Sequence, residues 1–500
     1  MKEIKIKRDN IKKSSFFNIT IKLLTYLIPL VLMPYLYRVL GVTLVGTYDY
    51  QYAFVTYFML VAAFGFTEYG TKRISTATND VDEMSKRFWS ILYSKILLGL
   101  LSLGVYFVLV YCGVFGPAKD YQSYSILSLF IVSSILDITY LYQGIENFKS
   151  IALRTLLVKI INLILIFCLV KTSDDFIIYV IIMSVCMVFS SLIMFLPLYK
   201  YVKRPSFDLK NILMDLKGSL VFFISALAIS LYTTMQKTIL GALTNETEVG
   251  YFSSAMKIKD VITAISYAII PIFYSRASYL IAMNKEDEAK NIMYKCFNAI
   301  YDFIFPATCG LICIANVFVP LYFSKEAEAT ILLLQVSSLA LVFIAMSSIL
   351  NYVYFMPNNK IKITNFIYLG AALFNFAITF LLVHFFSSLG ASIAVVLTEA
   401  FVATLSAFFS YKFVNFKTIF KLLFKPFIAS LIMMGMYFLL NYFLVKLISP
   451  TITMFILIIF SMLLYYGLLL LFKDNFAFNF TKNIMSSIKN KFKKNDNNRP

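Results

Sequence analysis

The sequence predicts an all-α polytopic membrane protein of about fourteen transmembrane helices, built as two parallel six-helix lobes plus two C-terminal helices. Three observations carry that expectation. The 500 residues are 60% hydrophobic and only 14% charged, with a mean hydropathy of +0.80, too little charge to clothe a water-soluble surface. Long apolar runs recur along the chain, separated by short clusters of Lys and Arg. And one glycine-bearing turn, "YRVLGVTLVGTYDY" (37–50), returns as "ILGALTNETEVGYF" (239–252).

A helix needs about 20 apolar residues to cross the hydrocarbon. That rule places spans at 16–37, 45–70, 88–112, 121–142, 152–171, 176–199, 218–243, 250–275, 296–322, 328–356, 363–386, 388–411, 420–446 and 451–472. The first fifteen residues are basic and polar, and the span after them is too long for a signal-peptide core, so it reads as an uncleaved anchor. Of the 45 Lys and Arg, 34 fall in segments on the N-terminal side of the membrane and 5 on the other. The alternation predicts cytoplasmic termini. The resulting organisation is a basic N-terminus (1–15), an N-lobe (16–199), a linker (200–217), a C-lobe (218–411), spans 13–14 (412–472) and a basic tail (473–500). A formal net charge of +19 raises nucleic acid as a partner, but charge dispersed between apolar runs is the pattern of membrane loops, and the tail suits anionic lipid. All six cysteines lie in or beside apolar runs and read as small core residues.

The repeated turn joins spans 1 and 2, then spans 7 and 8. Leu40-Gly41 matches Leu240-Gly241, and Val45-Gly46 matches Val249-Gly250 after a four-residue insertion. Six spans separate the copies, an even number, so the halves enter from the same side as parallel repeats. Gly41, Gly46, Gly241 and Gly250 read as hinges. Pro29 and Pro34 in span 1, with Pro271 and Pro306 later, read as helix-bending positions or as static shape.

Charge inside the spans is costly, about 2.5–3.5 kcal/mol for a mid-bilayer Lys or Arg. Six lysines lie there: Lys22, Lys95, Lys159, Lys237, Lys257 and Lys259, with Arg38 at the outer rim. Lys22, Lys95 and Lys159 sit about seven residues from the cytoplasmic end, within reach of snorkelling back to the interface. Lys237, Lys257, Lys259 and Arg38 form an outward-biased group. The acids Asp49, Glu68, Asp137, Glu399 and Asp260 are fewer. Excess cation in a wet cavity attracts an anion and repels an organic cation, which favours a phosphate-bearing or acidic substrate. Tyr35, Tyr37, Tyr48, Tyr50, Tyr52 and Tyr57 offer faces for sugar stacking or form an interfacial aromatic belt. Chemistry on a substrate is not indicated: His384 is the single histidine, the outer loops are short, and no nucleophile–base pair, phosphate-cradling glycine loop or metal cluster stands out. No cofactor is expected.

At this point the residues carry a resemblance. "YLYRVLGVTLVGTYDYQYAFVTYFMLVAAFGFTEYGTKRIS" (35–75) and "LDITYLYQGIENFKSIALRTLLVKIINLILIFCLVKTSDDFIIY" (136–179) resemble the Wzx-type polysaccharide (lipid-linked oligosaccharide) flippases of the multidrug/oligosaccharidyl-lipid/polysaccharide exporter superfamily. "SSLGASIAVVLTEAF" (387–401), ending beyond Glu399, resembles a signature shared across that superfamily. The resemblance spans roughly residues 14–475. It implies alternating access around a central cavity, with an undecaprenyl-pyrophosphate-linked oligosaccharide as cargo. It also implies polysaccharide polymerase and other assembly proteins as partners and a bacterial cytoplasmic membrane location. In lipid II flippases of the superfamily, cations on spans 1, 2 and 8 serve the pyrophosphate and spans 13–14 offer a tail groove. Lys22, Arg38, Lys257 and Lys259 are similar to those cations by span alone, and lysine lacks arginine's bidentate fork.

A pyrophosphate diester carries about two negative charges. Moving it outward across a membrane negative inside by about 100 mV is downhill by roughly 4–5 kcal/mol. Coupling to protons or sodium, with Asp49, Asp137 or Glu399 as carriers, is the competing mechanism. The competing cargoes on the same fold are lipid II, a teichoic-acid precursor or a drug. A membrane glycosyltransferase is the competing class, and it would need a large outer loop.

Overall fold

In the computed structural model, residues 28–114, 120–204, 207–323 and 327–474 are described. Among them the secondary structure is helical, without strands. Lys22 lies outside the described residues.

Helix ends follow local chemistry. After α1 (Ile28–Val39) comes α2 (Gly41–Ala63), which opens at Gly41 with φ +78°, a left-handed position where glycine meets no Cβ penalty. Phe64 and Gly65 then turn the chain into α3 (Phe66–Ser75). The side chain of Asp80 caps α4 (Val81–Tyr111), accepting from the Asp82 and Glu83 amides at 2.9 and 3.2 Å. Such a cap satisfies amides the helix itself leaves orphaned. The amides of Glu83 and Asp82 hold this carboxyl below the ordinary value of an aspartate.

Span 4 is broken into α5 (Tyr121–Leu136) and α6 (Thr139–Gly144). Asn147 caps α7 (Phe148–Leu169), and α8 (Phe176–Ile193) follows. Asp208 caps α9 (Leu209–Leu243), which bends between Leu209–Ile224 and Ala226–Leu243. The helices α10 (Glu246–Ala282) and α11 (Glu286–Tyr322) are each 37 residues long. α12 (Thr330–Ser338), α13 (Ala340–Ile349) and a π-helical turn over Leu350–Phe355 form one broken span. α14 (Ile361–Ser410) is two helices joined at Ser387, whose φ 48° and ψ −130° are not helical. α15 (Phe416–Leu444) and α16 (Pro450–Leu471) complete the chain, the latter with proline in its first turn, where a missing amide costs nothing.

By length and composition ten of these helices can cross a membrane, eleven with the bent α9. The break at Ser387 divides α14 into two spans, and α1 and α10 occupy the places expected for spans 1 and 8. The chain is therefore a multi-pass membrane protein on a fourteen-span plan.

Contacts group the chain into two compact units, residues 1–257 with 368–394, and residues 258–367 with 395–500. In the first, α5 packs on α2, α4 and α8, and α9 packs on α2 and α4. Its core includes Phe66, Phe88, Tyr140 and Tyr142. In the second, α11 packs on α12, α13, α15 and α16, and Met433, Tyr437, Leu457 and Tyr465 are buried there.

The expectation of six core cysteines needs correction. Cys112 and Cys168 are exposed, Cys309 is half-buried, and Cys186, Cys296 and Cys313 are buried. An apolar run marks apolar surroundings, and in a membrane protein the lipid-facing surface is as apolar as the core.

A charged seam between α2 and α10

The two copies of the repeated turn pack against each other. A side chain at Gly46 on α2 would strike the main-chain oxygen of Glu246 and come within 2.7 Å of the Gly250 amide nitrogen. A side chain at Gly250 on α10 would strike the Val42 carbonyl oxygen. Thr43 and Thr247 hydroxyls meet at 2.9 Å. The Tyr37 hydroxyl donates to the Gly250 carbonyl at 3.3 Å, and Ser254 bonds both Tyr37 and Gly250. The four glycines read as hinges take different backbone positions. Gly41 alone adopts the left-handed backbone of a turn. Gly46 and Gly250 sit inside helices and permit backbone-to-backbone approach, and Gly241 faces the Tyr50 ring.

Asp49 follows Gly46 by three residues and Lys257 follows Gly250 by seven, spacings that keep each charge on the glycine face of its helix. There the Lys257 Nζ lies 2.7 Å from one Asp49 carboxylate oxygen, and the Lys237 Nζ, from α9, lies 3.9 Å from the other. The Asp49 side chain is 6% exposed, those of Lys237 and Lys257 24% and 30%. Two ammonium groups share one carboxylate, leaving one positive charge in excess.

The other expected residues lie elsewhere. Lys259 is buried and pairs with Asp260 at 3.2 Å. It is two residues, about 200° of helix, from Lys257. Arg38 is exposed on α1, and Lys159 is half-buried on α7. Lys95 is buried on α4, where its Nζ donates to the Asp137 carbonyl and lies 5.8 Å from the Tyr140 ring centroid. It fills the break between α5 and α6, at a helix C-terminus whose carbonyls attract a cation. Asp137 itself accepts from the Thr139 amide at 3.2 Å and pairs with Arg154 at 3.5 Å. Glu399 is half-buried on α14. Pro29 and Pro34 lie within α1, and Pro271 and Pro306 inside α10 and α11.

The tyrosines of this region are engaged in packing. Tyr48 and Tyr52 stack at 5.8 Å, with Tyr179 and Phe130 each 4.9 Å from one of them. Tyr57 bonds Thr238 at 3.0 Å.

Two clusters were not anticipated. Asp215 on α9 is fully buried, ion-paired with Arg73 at 2.8 Å and accepting hydrogen bonds from the Tyr69 hydroxyl at 2.8 Å and the Ser90 hydroxyl at 2.5 Å. It precedes the apolar run at 218, so a hydropathy reading passes it by. In the second unit, Asn298 donates to Asp302 and to Asp474, each at 3.1 Å. Asp302 lies within the 296–322 span, and a scan of spans for acids finds it. It borders a cavity of about 530 Å³ between α11, α15 and α16, lined by Met433, Tyr437, Tyr465 and Leu469. Among the described residues no group of three or more His, Cys, Asp or Glu side chains could hold a metal ion.

The fold defines a class, the multi-pass helical membrane proteins with the fold of a solved lipid II flippase, MurJ in an inward closed conformation. That structure aligns over 93% of this chain and 98% of its own, with a TM-score of 0.71 at 14% identity. The chain belongs to the polysaccharide biosynthesis protein family, which matches residues 11–276. It is 27% identical to a Shigella dysenteriae protein named as an O-antigen transporter, over 75% of this chain and 94% of that one. It is 25% identical to an Escherichia coli (strain K12) protein of the same name, over 77% and 92%.

Proposed function

We propose that this protein flips an undecaprenyl-pyrophosphate-linked oligosaccharide from the inner to the outer leaflet of a bacterial cytoplasmic membrane. The product would feed capsule, exopolysaccharide or O-antigen-type assembly. Transport proceeds by alternating access of two six-span lobes, 16–199 and 218–411, with both termini cytoplasmic. The observation that carries this reading is the pair of partly accessible lysines, Lys237 and Lys257, sharing the single carboxylate of Asp49. Their surplus charge suits a pyrophosphate and disfavours a cationic drug. The names of the relatives point to glycan cargo, and the apolar cavity beside α15 and α16 suits a polyprenyl tail.

Two measurements test this. Lys257→Ala and, separately, Lys237→Ala are expected to abolish most surface polysaccharide while the protein inserts in normal amount. Wild-type surface polysaccharide in both overturns the cationic site. A cysteine replacing Lys237 is expected to react with a membrane-impermeant thiol reagent, and a site silent in every condition counts against its facing water.

A further inference from the structure

The α2–α10 seam joins a main-chain contact to a charge pair. At Gly46 against Glu246 and Gly250 against Val42 the two backbones approach closely. The polar bonds from α2 to α10 there are Thr43–Thr247 and Asp49–Lys257, with Asp49–Lys237 to α9 and the Tyr37 hydroxyl of α1 on Gly250 beside them. A carboxylate carries one negative charge and a pyrophosphate diester about two, so an incoming pyrophosphate competes with Asp49 for the same ammonium groups. Asp49 is nearly buried. Stripped of both lysines it is an uncompensated charge in a dry place, which strongly disfavours the closed seam.

Resting on the flippase reading, we propose that Asp49 is a resident counter-ion. It holds Lys257 of α10 and Lys237 of α9, and through them ties α2 to both helices, while no anion is bound; a pyrophosphate-bearing ligand displaces it. Anion binding and loosening of the seam are then one event. The ligand favours the open seam because only there are both lysines released from Asp49, and this differential affinity is what a shift of equilibrium requires. Asp49 has no need to bind or release a proton or sodium ion in this cycle.

The test uses the full-length protein in liposomes, with its six native cysteines replaced and Thr43→Cys and Thr247→Cys introduced. The initial rate of oxidative cross-linking between these two cysteines reports closure of the seam. Sodium pyrophosphate is the probe, against sodium chloride at equal ionic strength to remove simple screening. Pyrophosphate is expected to slow cross-linking about fivefold, the size of a partly exposed ion pair. Asp49→Asn is expected to slow it as much without any probe, and pyrophosphate then adds nothing. Cross-linking indifferent to pyrophosphate, or as fast in Asp49→Asn as in the parent, overturns the proposal. The function is judged separately. Lost export in Lys257→Ala with cross-linking blind to pyrophosphate keeps the flippase and removes the counter-ion, whereas normal export in both Lys257→Ala and Lys237→Ala removes the flippase site itself.

Discussion

Gly46 and Gly250 show what a single methyl group would cost. Each faces main-chain atoms of the opposing helix, which cannot rotate aside as a side chain can. Gly46→Val is therefore expected to separate α2 from α10 and abolish Thr43–Thr247 cross-linking, with normal membrane insertion as the control. At Asp215 the cost is electrostatic. Its carboxylate is fully buried, and the Arg73 side chain bonded to it is 20% exposed. Asp215→Ala leaves that guanidinium largely unpaired, and loss of one partner of a buried pair costs about 3–5 kcal/mol. Thermal unfolding in detergent is expected to show a clear drop in midpoint, and an unchanged midpoint contradicts the lock.

The helix that carries spans 11 and 12 bends at Ser387, in a backbone region that L-residues rarely adopt. Such strain costs on the order of 1–3 kcal/mol for a residue with a Cβ, and glycine relieves most of it. Ser387→Gly is thus expected to stabilise the protein by about 1 kcal/mol after the entropic penalty of glycine, read as a higher unfolding midpoint. At the start of α4, the capping carboxylate of Asp80 has a lowered pKa. The sign follows directly: the cap stabilises at pH above the unfolded value of 3.8 and is lost as pH falls through the lowered folded value. Hydrogen exchange in the first turn of α4 is expected to accelerate in acid through that window. Asp80→Asn, which keeps a capping oxygen, is expected to flatten the dependence.

For the molecule as a whole, fourteen spans is an even number, so reporters fused to the two termini are expected on the same, cytoplasmic, face. Reporters on opposite faces would reduce or raise the count by one. The spans were legible because lipid imposes one requirement on every crossing segment, an apolar length, and that requirement is written locally in the chain. Even the boundary between spans 11 and 12 was readable, near residue 387. The breaks at Asp137 and at Leu350–Phe355 were not, since hydropathy is blind to backbone direction. Pairings were beyond reach for another reason. Asp49 meets partners 188 and 208 residues away, and nothing local distinguishes its lysines from Lys259, which takes the neighbouring Asp260 instead. The repeated glycines were found by their spacing, but whether they turn a chain or let two helices touch depends on a neighbour supplied only by the fold.

Lys95 has a consequence for how the chain is made. Its ammonium rests on the carbonyl of Asp137, 42 residues downstream. At about 5–20 residues per second of synthesis, that stretch takes roughly two to eight seconds to emerge. During that interval the ammonium of the newborn third segment lacks its folded-state acceptor and has the interface, reached by snorkelling, as its alternative. Insertion of the third segment is then expected to be more efficient when the fourth is present, and replacing Lys95 with leucine should remove that dependence, as read by a glycosylation-site insertion assay on the two truncated lengths.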